Sequence, residues 1–259
     1  MKTLFDFISK LLLALSHAAG DSADKEEPAP APDVSTVDTV TGWTGEPPYR
    51  YIDVSRRQGT SIDWAKVKAA GYRGVMIRAL GNKNLAPYVD TCFEKNYAGA
   101  KAAGLDVGVY WYSTAITQAL VNAELSMLKN ALRGKELTLP VAMDVEDAKL
   151  TALDKQDLTD LTAYALHEIE EMGFYAQLYT YTSFAKAHLF VGGAALHPYD
   201  VWLADYTGKT PKVDFKYNAH QHTSSGRVPG ISGNVDLNVT TLNYPKIIKT
   251  KGLTRLREV

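Results

Sequence analysis

From residue 51 onward, short runs rich in Val, Ile and Tyr alternate with longer stretches of helical periodicity, several of them stopped by a glycine. That alternation restricts the chain to an α/β architecture resting on a largely parallel sheet. The strand-like runs are 51–55, 74–80, 107–113, 139–146, 175–182, 200–206, 219–223 and 235–239. Between them, helices are expected over 62–70, entered at Ser61 and stopped by Gly71, and over 88–103, ending at Gly104. Others are expected over 115–132, 154–172 and 183–190, and the last two connections read as loops. Eight strands with too few helices predict an irregular (β/α) TIM-like barrel with fewer helices than a full eight-fold barrel. A doubly wound open sheet is the alternative, because periodicity does not report closure.

The first 48 residues differ from the rest. Residues 1–20 hold the apolar patch Leu11, Leu12, Leu13, Ala14 and Leu15, preceded by Lys2 and Lys10. They read equally as a secretory signal or as an amphipathic docking helix that touches a membrane, with Leu4, Phe7, Ile8, Leu11, Leu12 and Leu15 on one face. A spanning helix would need ~20 mostly apolar residues. Residues 21–48 include alternating Pro and Ala and read as an extended linker. The catalytic domain is placed at 49–245, followed by a basic tail, 246–259, that reads as a solvated end.

Composition narrows the function. The formal net charge is -1, which gives no support to a nucleic-acid partner. Cys92 is the only cysteine, so no intrachain disulfide forms, and the six histidines show no ligand spacing for a metal. No metal and no cofactor is expected. His220 and His222 read as polar strand residues.

In parallel α/β barrels the site forms at the C-terminal ends of the strands. On this strand assignment those ends bear Asp53, Arg78, Tyr110, Tyr112, Asp144, Glu146, Tyr179, Tyr181, Trp202, Asp205, Gln221 and Asp236. Asp144 and Glu146 lie two apart on one strand, so they share a face at roughly 6–7 Å along the backbone. Neighbouring, partly buried carboxyls oppose each other's ionisation, which leaves one protonated acid beside one ionised partner. Glycosidic cleavage uses such a pair, one group protonating the leaving oxygen and the other stabilising positive character at the sugar carbon. Rim tyrosines and Trp202 suit stacking on sugar faces. An Asp-x-Glu alone also fits a salt-bridged strand end, and the coincidence with Asp53 and Asp236 is what favours catalysis.

Four stretches, in order, resemble glycoside hydrolase family 25, the lysozymes of phage endolysins and of secreted bacterial and fungal enzymes. They are Tyr51-Ile52-Asp53-Val54-Ser55 with Gln58-Gly59 and Ile62-Asp63-Trp64; Gly108-Val109-Tyr110-Trp111-Tyr112-Ser113; Leu139-Pro140-Val141 with Asp144-Val145-Glu146; and Ser224 through Asn238, which includes Asn234-Val235-Asp236-Leu237-Asn238. The resemblance implies hydrolysis of the β-1,4 bond between N-acetylmuramic acid and N-acetylglucosamine in peptidoglycan glycan strands, by a monomer acting at the cell wall after secretion or phage lysis. It implies Glu146 as general acid and Asp144 as the group that orients the substrate's acetamido, itself a candidate nucleophile. Asp53 and Asp236 would complete the catalytic set, with Tyr110, Tyr112, Tyr179, Trp202, Gln221 and Arg78 binding substrate. The chain departs from the family pattern at His220, where an aromatic residue is common, and at Trp111, where His is frequent; both are expected to alter sugar binding. A catalytically silent glycan-binding barrel and a chitinase-like glycosidase are the competing readings. The first would lack one of the acids, and the second would carry a longer acidic run before Glu146.

Overall fold

The computed structural model describes residues 49–257. The two readings made for 1–20 and the linker 21–48 lie outside the described residues. In chain order the elements are β1 (Tyr49–Val54), α1 (Trp64–Ala69), β2 (Gly74–Lys83), β3 (Ala86–Val89), α2 (Phe93–Ala102), β4 (Asp106–Tyr112), α3 (Gln118–Ala131) and β5 (Val141–Asp144). A short 3-10 turn (Ala148–Ala152) follows, then α4 (Lys155–Glu171), β6 (Ala176–Tyr181), α5 (Thr182–His188), β7 (Asp200–Ala204), β8 (Ala219–Gly226), β9 (Val235–Thr240) and α6 (Tyr244–Lys251).

Eight of these strands close a barrel in the order β1-β2-β4-β5-β6-β7-β8-β9, with β9 returning to β1. The open doubly wound sheet is thereby excluded. The six pairings from β1 to β8 are parallel, but β9 runs antiparallel to both β8 and β1. The cause is the connection: residues 227–234 hold no helix, and a parallel return needs a crossover of a dozen or more residues. This inversion decides the site, because it brings the start of β9 to the rim where the other strands end.

Period-two alternation sorts the side chains. Ile52, Val54, Val75, Ile77, Val107, Val109, Trp111, Val141, Met143, Leu178, Val201 and Leu203 point outward into the layer shared with the helices. Tyr51, Met76, Ala142, Tyr179, Trp202 and Ala219 fill the barrel. Gly108 belongs to the inward set of β4, and a Cβ there would lie 2.5 Å from the Met76 sulfur, so the barrel is too narrow for a larger residue.

Four expectations need correction. The helix read over 88–103 begins only at Phe93. Asn84 and Leu85 both adopt positive φ, as a two-residue hairpin turn requires, and Ala86–Val89 pairs back on β2 as an edge strand. The helix expected over 62–70 with Ser61 at its entry starts at Trp64, because the Asp63 side chain accepts the Lys66 N–H and takes the cap position. Strand β5 stops at Asp144, so Glu146 sits on the loop beyond it. The tail read as a solvated end is docked: Tyr244 and Ile248 of α6 join the interior cluster with Tyr49 and Leu139, where the strands begin. After α6, Thr254 bridges to Phe174 and its carbonyl accepts the Leu137 N–H.

Candidate active site

At the rim the barrel opens into a cleft of about 320 Å³. All four predicted acids, Asp53, Asp144, Glu146 and Asp236, line it, together with Arg78, Tyr110, Tyr112, Tyr179, Trp202 and Gln221. A larger cavity of about 660 Å³ lies outside the barrel against α4, α5 and residues 189–195. It is walled by Lys155, Lys186 and Phe190 and holds none of the predicted site residues.

Asp53 is almost wholly buried, and its Oδ2 accepts two amide donors, Gln221 Nε2 at 2.8 Å and Asn238 Nδ2 at 2.9 Å. Each amide is itself oriented. The Gln221 Oε1 accepts the Tyr179 and Tyr206 hydroxyls at 2.9 and 2.5 Å, and the Asn238 Oδ1 accepts the Trp202 Nε1 proton at 2.9 Å. Asp53 faces Asp236 across the β1–β9 ladder.

The electrostatics follow from burial and like charge. Burial, then Asp236, raises the Asp53 pKa well above the carboxylate range, while its two amide donors oppose the shift. Burial, then Glu146 and Asp53, does the same for Asp144, with Arg78 opposing. Glu146 is pushed up to about 6 by burial, then by Asp147 and Asp236. Asp236 is raised to about 6 by burial, against its own backbone hydrogen bond and Arg57. These carboxyls cannot all ionise near neutral pH, and their protons are held jointly. The Asp144 Oδ1 is buried without a hydrogen-bond partner among the described residues, so the cleft presents an acceptor ready for a donor brought by a ligand.

The predicted sugar contacts divide into two groups. Tyr110 and Tyr112 are half-buried, with the Tyr112 hydroxyl donating to Asp147 at 2.8 Å. Asp147 therefore ties down that ring and also caps the 3-10 turn. Trp202 is only 1% exposed and packs against Tyr51, Tyr110 and Tyr179, so its ring forms the wall under the cleft and is not a free stacking face. Tyr179 and Gln221 are also buried, with their polar atoms in the Asp53 network. Arg78, expected to bind substrate, donates to Asp90 through Nε at 2.7 Å and also pairs with it through a terminal nitrogen at 2.6 Å.

Neither departure from the family pattern reaches the cleft. Trp111 is fully buried on the outer face, donating to Glu124, and His220 lies beside the Asp205 carbonyl. Asp205 accepts from Thr182 and Thr207 and organises its own loop. Sequence reasoning missed Tyr206, Arg57, Ser55 and Ser224 as lining residues. Tyr206 was findable, since it shares the parity of Trp202 and Ala204 one step past β7; it is 52% exposed and offers the open aromatic face that Trp202 does not. Among the described residues, no cluster of His, Cys, Asp and Glu could hold a metal ion, and no helix is long and apolar enough to cross a membrane.

A family model described as glycosyl hydrolases family 25 matches residues 52–231. The autolytic lysozyme of Clostridium acetobutylicum is 33% identical over 186 residues, which is 72% of this chain and 54% of that protein. The chain thus spans about half the length of that relative. Among solved structures, the CTP1L endolysin is 27% identical at a TM-score of 0.65, covering 78% of this chain and 69% of the other. The bacterial lysozyme of Streptomyces coelicolor shares the fold at a TM-score of 0.66 and 24% identity, covering 78% of this chain and 96% of that one.

Proposed function

The chain belongs to glycosyl hydrolase family 25, and on that premise we propose that it cleaves the β-1,4 bond between N-acetylmuramic acid and N-acetylglucosamine in peptidoglycan, with Glu146 as the general acid. The observation that carries this reading is the pairing of two unlike carboxyls in one cleft. Glu146, at about 6, holds its proton into the mildly acidic range, and Asp144 offers a buried oxygen with no partner among the described residues.

Glu146 donates its proton to the glycosidic oxygen as the bond to the muramic acid C1 breaks. The 2-acetamido carbonyl oxygen of the same sugar attacks C1 from the other side, giving a cyclic oxazolinium intermediate. Asp144 accepts the acetamido N–H and stabilises its growing positive charge. Water then adds to C1, giving up its proton to the Glu146 carboxylate, and the ring reopens. Such substrate-assisted routes depart from the two-carboxylate scheme but use the same acid. Asp53 and Asp236 close the floor beside this pair, and Tyr110, Tyr112 and Tyr206 supply sugar-facing rings. The names of the relatives support the cell wall as the place of action: one is an autolytic lysozyme and another an endolysin.

The test is release of reducing, muramic-acid-terminated fragments from purified peptidoglycan. The Glu146→Gln variant should bind the glycan and lose roughly 10²–10⁴-fold in rate. Cleavage by neither protein, on walls from several bacteria, would refute the activity. Full activity in the variant would refute the acid.

A further inference from the structure

A chain of hydrogen bonds runs from the barrel core to one cleft carboxyl, and no feature of the acid pair requires it. The Trp202 indole N–H donates to the Asn238 Oδ1, and the Asn238 amide donates to the Asp53 Oδ2. Trp202 and Asn238 are each 1% exposed. An asparagine amide turned by 180° would set its NH2 against the indole N–H and its oxygen against the carboxylate. Because an indole nitrogen only donates, Trp202 permits one orientation of Asn238 alone. The opposite oxygen lock acts on Gln221 through the Tyr179 and Tyr206 hydroxyls. Two amides from neighbouring strands β8 and β9, each with its oxygen occupied by aromatic donors, thus turn their N–H groups on a single oxygen of Asp53. An Oδ2 that already accepts two donors leaves a proton on this carboxyl to Oδ1.

We propose that Asn238, fixed by Trp202, is a positioning residue that holds the Asp53 carboxyl in one orientation and favours its ionised form inside the acidic cleft. This rests on the reading of the cleft as the hydrolytic site. The need for such a device is visible in the surroundings of Asp53. Asp236 faces it from β9, Glu146 from the loop after β5, and Asp144 from β5; Tyr110, Tyr51, Tyr179 and Tyr206 close the remaining sides, while Arg78 is committed to Asp90. The neighbouring acids Asp236 and Glu146 oppose its negative charge, Arg57 in the same cleft acts on Asp236, and the hydrogen bonds of the two amides lower the Asp53 pKa against that pressure.

The test uses the full chain with ¹³C-carboxyl-labelled aspartate, the Asp53 resonance being identified by its loss in Asp53→Asn. Trp202→Phe keeps a ring in the wall and removes the N–H; Asn238→Leu keeps the volume and removes the amide. Both should raise the Asp53 titration midpoint by at least about half a unit, the size expected for one lost donor to a carboxylate. On peptidoglycan, both should shift the acid limb of the rate profile upward and lower kcat several-fold with KM little changed. An unshifted midpoint in Trp202→Phe, with a rate loss equal at every pH, would overturn the proposal and leave Trp202 as packing only. The NMR midpoint needs no substrate. A shifted midpoint in a protein that cleaves no wall would therefore refute the hydrolytic reading while sustaining the positioning of Asp53.

Discussion

Asp53 and Asp236 are directly paired across the β1–β9 ladder although one lies near the end of its strand and the other near the start. Only an antiparallel β9 makes this possible. A parallel last strand would bring Asp236 to the opposite end of the barrel, beside α6. The pairing sets two carboxyls within the spacing of cross-strand neighbours, about 4.5–5.5 Å between Cβ atoms, and Asp236 then contributes to raising both Asp53 and Glu146.

The first prediction follows from that charge. Glu146 works only while protonated, and the negative charge of Asp236 helps it keep its proton to about pH 6. In Asp236→Asn that help is gone, so Glu146 ionises earlier. The alkaline limb of kcat/KM should move to lower pH by up to about half a unit, since burial and Asp147 contribute more of the shift, whatever the loss in absolute rate. A limb that stays in place would show that Asp236 does not act on Glu146.

The second prediction concerns Glu124, which is buried on the inward face of α3. Its carboxyl accepts four donors: Asn82 Nδ2 at 2.9 Å, Trp111 Nε1 at 3.2 Å, Ser113 Oγ at 2.7 Å and the Thr114 N–H at 3.2 Å. It ties the end of β2 and the loop after β4 to one helix, and burial raises its pKa against those four bonds. Glu124→Ala leaves four donors without an acceptor and should cost about 3–5 kcal/mol in chemical denaturation. A cost below about 1 kcal/mol would mean that solvent replaces the carboxyl without strain.

Much of this was legible before any coordinates, and the failures have definite causes. Strand alternation found the four acids and six further lining residues but passed over Tyr206 and Asn238; it worked because a closed barrel leaves only two faces and its inward polar residues stand out among apolar neighbours. Asp236 was placed at the rim by assuming a parallel strand, whereas the rim is reached through the inversion of β9. Periodicity does not encode strand direction; the helix-free connection 227–234 does. The β2–β3 hairpin was hidden because Tyr88 and Val89 continue the apolar spacing of α2, and two positive-φ residues, Asn84 and Leu85, are not glycine. Glu124 could have been suspected, since it falls between Val121, Leu125 and Leu128 on the buried face of its helix. Trp202 was read as a sugar platform because an aromatic residue on an inward position looks the same whether it is the floor or the wall. The depth of a residue in the barrel depends on register across strands, which one strand's sequence does not carry.

The third prediction tests the docked C-terminal helix. Ile248 is fully buried among Tyr49, Leu139 and Tyr244 at the end of the barrel opposite the cleft. Ile248→Ala should cost about 2–5 kcal/mol, the transfer term plus the cavity left behind. Removing residues 246–259 should cost more, because the carbonyl of Thr254 and the N–H of Arg257 also bond to the segments before β5 and β6. Thermal unfolding of both variants checks this. An unchanged melting temperature in the truncated chain would return the segment to the status of a solvated end.

The fourth prediction turns the raised pKa of Glu146 into a stability curve. The folded chain keeps this proton to about pH 6, while an unhindered glutamate releases it near 4.5. Below the lower value both states are protonated and the group contributes its full stability. As pH rises through 6 the folded state must either hold a proton that the unfolded chain has shed or bury a charge, so that contribution is lost. Glutamine cannot ionise and escapes the loss. Wild type and Glu146→Gln should therefore unfold alike near pH 4, and the variant should be more stable by about 1–2 kcal/mol above pH 7. Denaturation midpoints across that range give the difference directly. Parallel curves with no divergence would mean that Glu146 is solvated in the folded chain, and the case for its being a protonated acid would fall with them. A divergence of the expected sign would show the reverse: the chain accepts a less stable fold near neutral pH in order to keep an acid in its cleft.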